Sequence, residues 1–274
     1  MRNVAILGCG YVGLRVADNW KQQGLTVTAT TTNRDRIPEL EAVSDRAMVV
    51  RGDNREELAQ LLEGQDSLLV SVSTKRRQTY DEAYLQTAKT LVSVLEKVPR
   101  LKQVLYTSSC SVYGDFGGDW VEETTPVKPG NPNAAVLAET ERVLLEVATA
   151  DRSICLLRLG GIYGPGREIA KIYRRMAGTT QPGDGSRMSN WVHLDDIAGA
   201  IAFAERQGLN GIYNLVDDDV QPTRELVDKV CRTHNLPPVT WDASQAGRSS
   251  YNAKVSNEKL KQAGYALIHP KRIV

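Results

Sequence analysis

The stretch Arg2-Asn3-Val4-Ala5-Ile6-Leu7-Gly8-Cys9-Gly10-Tyr11-Val12-Gly13 carries a short apolar strand straight into a G-x-G-x-x-G turn, and an amphipathic helix follows from about Tyr11. Each glycine has its own steric reason in this setting. Gly8 permits the tight turn out of the strand, Gly10 lets the backbone approach a pyrophosphate, and Gly13 lets the helix pack closely on the sheet. The helix start points unpaired N–H groups and its positive dipole end at an anion. The pattern predicts a dinucleotide site built on Gly8, Gly10, Tyr11, Val12 and Gly13.

Beyond this turn, apolar strands alternate with helical patterns, the signature of a parallel sheet covered on both faces. Strands are expected at 26–31, 47–50, 67–73, 103–108, 153–159 and 211–216, with helices at 54–63, 79–98 and 134–149 between them. Past Gly160 the pattern loosens: 178–189 reads as a Gly-, Thr- and Ser-rich loop, and a helix begins at the acids Asp195 and Asp196. The fold class is therefore α/β, a doubly wound parallel sheet over 1–164. A small substrate lobe over 165–274 follows, from which about 190–216 returns to the core.

With 274 residues the chain can bury a full core. A net charge of +1 gives no general attraction to nucleic acid or anionic lipid. No apolar run approaches the ~18 residues of a membrane helix, and the first strand begins too early for a leader peptide. The four cysteines, Cys9, Cys110, Cys155 and Cys231, form no C-x-x-C pair, so no metal site or disulfide framework is expected. These features fit a reduced, cytoplasmic protein, monomeric or homodimeric, whose partner is a small molecule.

Further motifs continue in order: Thr107-Ser108-Ser109-Cys110-Ser111-Val112-Tyr113-Gly114, then Arg158-Leu159-Gly160-Gly161-Ile162-Tyr163-Gly164-Pro165-Gly166-Arg167. Asn190-Trp191-Val192-His193-Leu194-Asp195-Asp196-Ile197 and Tyr213-Asn214-Leu215-Val216-Asp217-Asp218 complete the series. With the glycine turn, they make the chain resemble the NAD(P)-dependent epimerase/dehydratase family of extended short-chain dehydrogenases/reductases, in its atypical branch. The resemblance implies a Rossmann fold and places Ser109 at the family's catalytic Ser/Thr position, with Tyr113 in the V-Y-G that follows.

Two departures stand out. The glycine loop is the shorter G-x-G-x-x-G rather than G-x-x-G-x-x-G. The family's Tyr-x-x-x-Lys acid/base pair is missing as well: none of the ten tyrosines has a lysine four residues on. Asn133 and Leu137 fall where the pair is expected, and leucine supplies neither charge nor proton.

NAD selectivity usually rests on an acid about 20 residues past the glycines. Here the second strand ends in Thr31-Thr32-Asn33-Arg34. Thr31, Asn33 and Arg34 are the expected contacts to a 2′-phosphate, making NADP the expected cofactor and NAD the alternative. Asp53, after the third strand, stands where the family contacts adenine. Arg167 and Arg187 are the candidate substrate contacts, His193 reads as a positioning residue, and Thr74-Lys75-Arg76-Arg77 reads as a solvated charge run. The reading is an epimerase/dehydratase-like oxidoreductase on a small polar substrate such as a nucleotide sugar. The rival is a non-catalytic dinucleotide-binding redox sensor or regulator, favoured by the absent pair.

Overall fold

The computed structural model describes residues 2–74, 78–245, 247 and 250–274. Lys75, Arg76 and Arg77 lie outside the described residues. In chain order the first elements are β1 (Asn3–Leu7), α1 (Tyr11–Gln22), β2 (Thr26–Thr31), α2 (Ile37–Glu41), β3 (Arg46–Val49), α3 (Arg55–Leu62), β4 (Ser67–Val70), α4 (Gln86–Leu95) and β5 (Gln103–Ser109). Next come β6 (Asp115–Val121), α5 (Pro132–Leu145), β7 (Ser153–Leu159), β8 (Gly161–Tyr163), α6 (Ile169–Arg174), β9 (Thr180–Pro182), β10 (Met188–Ser189) and β11 (Trp191–His193). The chain closes with α7 (Leu194–Gln207), β12 (Gly211–Leu215), β13 (Gln221–Pro222), α8 (Thr223–Thr233), β14 (Thr240–Asp242), β15 (Asn252–Val255) and α9 (Glu258–Gln262).

Contacts divide the chain into two compact units, each assembled from three separate segments. The first comprises Met1–Ser109, Pro132–Arg158 and Ala198–Tyr213; the second comprises Cys110–Asn131, Leu159–Ile197 and Asn214–Val274. The sequence suggests a boundary near residue 164 with about 190–216 returning to the core; of that stretch, Ala198–Tyr213 groups with the first unit.

The first unit is organised by a seven-stranded sheet in the order β12-β7-β5-β4-β1-β2-β3. From β3 to β5 every neighbouring pair is parallel, which is the doubly wound α/β fold expected. The strand order reverses between β1 and β4, and open α/β sheets bind ligands outside the strand ends at such a switch point. Strands β1 and β4 are buried along nearly their whole length, which is why they read as unbroken apolar runs. Leu58, Leu61, Leu91, Leu95, Val104 and Leu156 fill the core beneath the covering helices. Before α4 the chain makes a π-turn over Asp81–Leu85, so the helix expected from 79 to 98 is regular only between Gln86 and Leu95.

The second unit is built from short strand pairs: β6 with β15, β8 with β11, β9 with β14, and β10 with β13. Its C-terminal segment is pinned by two buried carboxylates. Asp196, fully buried, accepts the Ile268 and His269 N–H groups at 2.6 and 2.9 Å. Asp217 accepts two bonds from the Arg272 guanidinium at 2.8 and 2.9 Å, and both side chains are almost wholly sequestered.

Candidate functional site

The glycine loop lies at the switch point of the first unit, and the three glycines differ as their spacing predicts. Gly8 has φ +93°, and a Cβ there would lie 2.7 Å from the Ser71 carbonyl oxygen. At Gly13 a Cβ would lie 2.9 Å from the Gly8 carbonyl oxygen and 3.2 Å from Ile6. Gly10 alone of the three faces open space, with nothing within 4 Å of a Cβ position. Thr30, fully buried, holds the loop: its hydroxyl donates to the Ile6 carbonyl at 2.9 Å and accepts the Gly8 N–H at 3.1 Å. No side chain caps α1 and no acid stands in its first turn, leaving the helix start to an anion. Within this turn Val12 is buried and Tyr11 half-buried.

A cleft runs from Gly8 and Gly10 past Thr31, Thr32 and Gly52 to Ser71. Its one charged lining residue among those described is Arg36. The sequence points to Arg34 and gives no sign of Arg36. Asn33 explains the difference: its side chain accepts the Asp35 N–H at 3.1 Å and caps a 3₁₀ turn over Arg34–Arg36. That turn leaves Arg34 exposed and outside the cleft lining, with Arg36 on it. Arg36 Nε donates to Glu39 at 2.7 Å, which leaves the other guanidinium N–H groups for a ligand. Burial pushes the Cys9 thiol up to about 12, against the opposing pull of Arg36. Asp53 is exposed; Gly52 lines the cleft instead, and Asn54 caps α3 by accepting the Glu56 and Glu57 N–H groups.

Ser109 ends β5, half-buried. On α5, Asn133 is exposed and Leu137 is buried, so the positions of the missing acid/base pair hold no substitute proton donor. Four residues past Leu137, Glu141 is 3% exposed and faces Arg158, also 3% exposed. The carboxylate receives Arg158 Nη2 at 2.7 Å and the Ser108 hydroxyl at 2.5 Å. This charged knot ties α5 to β5 and β7.

The remaining candidates belong to the second unit. Tyr113 is fully buried, and its hydroxyl lies 2.8 Å from Asn214 Oδ1 and 3.0 Å from the Glu122 carbonyl. Both are acceptors, so its proton is committed to the fold rather than to a substrate. Arg167 is exposed, and its N–H bonds the Gly164 carbonyl at 2.9 Å within the tight turn. Arg187 lines a cavity of about 620 Å³ with Asp115, Tyr173, Thr223, Trp241 and Asn252. The Arg187 carbonyl accepts both the N–H and the hydroxyl of Thr223, at 2.7 and 2.9 Å. Of the two arginines proposed for substrate, Arg187 alone lines this cavity.

The comparisons agree with this architecture. The model of the NAD dependent epimerase/dehydratase family matches residues 4–215. Protein YeeZ of Escherichia coli K12 is 34% identical over 223 residues, covering 78% of this chain and 77% of its own length. A Streptomyces 3-diazoavenalumate denitrifying reductase is 25% identical over 260 residues, covering 87% of this chain and 83% of its own. Among solved structures, the UDP-glucose 4-epimerase of Thermus thermophilus in complex with NAD has a TM-score of 0.78 at 21% identity, covering 98% of this chain and 94% of that one. A Rossmann sheet, a glycine turn open at Gly10 and a family match across most of the chain place this protein in the NAD-dependent epimerase/dehydratase family.

Proposed function

We propose that the protein is an NADP(H)-dependent oxidoreductase acting on a small polar substrate. The observation that carries this reading is the cleft at the switch point, where Gly10 leaves room for a pyrophosphate and Arg36 is the sole charged lining residue described. The α1 N–H groups would hold the pyrophosphate, and Thr31, Thr32 and Arg36 the 2′-phosphate side of the ribose. When bound, the nicotinamide supplies hydride chemistry. A relative named as a reductase and a structural neighbour named as an NAD-bound UDP-sugar epimerase support that chemistry. Arg187, at the cavity of the second unit, supports a substrate with an anionic group, as a nucleotide sugar has.

Without a Tyr-x-x-x-Lys pair, Ser109 is the family-position group that remains. An unperturbed serine is a weak acid, so Ser109 orients a substrate oxygen while water or the substrate itself supplies the proton. Turnover is then slow. The test is NADPH oxidation, together with isotope exchange at the nicotinamide, across nucleotide sugars and small carbonyl compounds. Ser109→Ala should cut activity by roughly the hundredfold to thousandfold typical of a lost hydrogen-bond donor to a developing oxyanion and leave NADPH affinity unchanged. Unchanged activity removes Ser109 from the mechanism. Tight NADPH binding with no turnover on any compound decides for the sensor reading, which Leu137 in place of a lysine favours.

A further inference from the structure

Two of the three histidines in the chain meet around one carboxylate in the second unit, far from each other in sequence. His193 Nδ1 and His269 Nε2 each lie 3.5 Å from the same oxygen, Asp195 Oδ2. The three potential ligand atoms all fall within 4.8 Å of one another. From these residues we infer a divalent-metal site, His193–Asp195–His269, that takes Zn²⁺ and fastens the C-terminal segment to the start of α7.

The distances carry the inference. A charge-assisted hydrogen bond between imidazole and carboxylate closes to about 2.7–2.9 Å. Ligand atoms sharing a tetrahedral Zn²⁺, with bonds of about 2.0–2.1 Å, stand about 3.3–3.4 Å apart. Both nitrogen–oxygen separations match the second geometry better than the first. Two imidazoles and one carboxylate form a donor set that suits zinc more than magnesium or calcium.

The surroundings fit as well. The His193 ring is set edge-on to Tyr163, with centroids 5.0 Å apart, and its centroid lies 3.9 Å from that of His269, so the two imidazoles part to about 5 Å when they share the metal. Asp195 and His269 keep 29% and 24% of their side chains exposed, which provides an entry path. Asp195 and Asp196 place two acidic side chains in the first turn of α7, against the half-positive helix end that would oppose a cation. Binding exchanges the Asp195 N–H bond to His193 Nδ1, at 3.1 Å, for a coordination bond. The fourth position is left to water.

The test uses the full-length protein stripped with EDTA and titrated with Zn²⁺ by calorimetry, with Co²⁺ as a spectroscopic substitute. One equivalent should bind, raise Tm, and give the intense visible bands of tetrahedral Co²⁺. His269→Gln, a change at a half-buried position, should weaken Zn²⁺ at least about tenfold, and Asp195→Asn likewise. His234→Gln, at the third histidine, should bind as wild type. Failure of wild type to bind Zn²⁺ overturns the inference. So does equal binding by His269→Gln, or Mg²⁺ binding as tightly as Zn²⁺.

Discussion

Arg34 and Arg36 are two positions apart, yet only one of them borders the glycine cleft. A guanidinium contact to a phosphate is charge-assisted and contributes about 1.5–3 kcal/mol, or about tenfold to a hundredfold in affinity. Arg36→Ala should therefore erase most of any preference for NADPH over NADH, whereas Arg34→Ala should leave the ratio of dissociation constants near that of wild type. Equal loss in both variants would place the 2′-phosphate on the other side of the turn. The three glycines are legible in the sequence because each answers to a separate steric demand that spacing encodes. The choice between the arginines is not, because it depends on how one Asn33 side-chain bond winds the following turn. Tyr113 shows the same limit. A tyrosine in a motif can be read, but the Asn214 oxygen that accepts its hydroxyl's hydrogen bond is 101 residues away.

Among the elements, α5 is held by chemistry that its apolar pattern does not reveal. Glu141 and Arg158 are both sequestered, so removing one partner strands the other charge in the interior. Arg158→Met should destabilise the protein by about 3–5 kcal/mol in urea unfolding. The double change Glu141→Leu with Arg158→Met should recover much of that loss. A small effect from the single change would mean that water reaches the carboxylate. Strands made of one continuous β-branched or apolar run, such as β2 and β7, can be read from the sequence to their observed ends. By contrast, nothing in the pattern announces β6. Its Asp115-Phe116-Gly117-Gly118-Asp119 run has glycines at φ +64° and +86°, and such residues ordinarily mark a turn. Several strands of the second unit are only two or three residues long, too short for alternation to show.

On the scale of the whole molecule, buried tyrosines set the alkaline limit of stability. Burial raises the phenols of Tyr106, Tyr251 and Tyr265 and pushes Tyr163 up to about 12. An unfolded tyrosine ionises near 10, so above that pH the unfolded chain releases protons that the folded chain keeps. The stabilisation is complete below about pH 10 and is lost as pH rises through the folded values. Tyrosinate absorbance from the buried group should therefore appear together with the loss of far-UV circular dichroism. Ionisation of the full set before any loss of secondary structure would show that these rings are open to solvent.

The buried Asp217–Arg272 pair also has a consequence for how the chain is made. Its two members are 55 residues apart, so a ribosome adding about 5–20 residues per second finishes the acid roughly 3–11 s before its partner. Through that interval the carboxylate cannot be buried with its charge answered. The second unit therefore cannot reach its final packing as its segments emerge, and it completes only after Arg272 has left the tunnel. Until then a newly made chain presents a half-built lobe to chaperones and proteases.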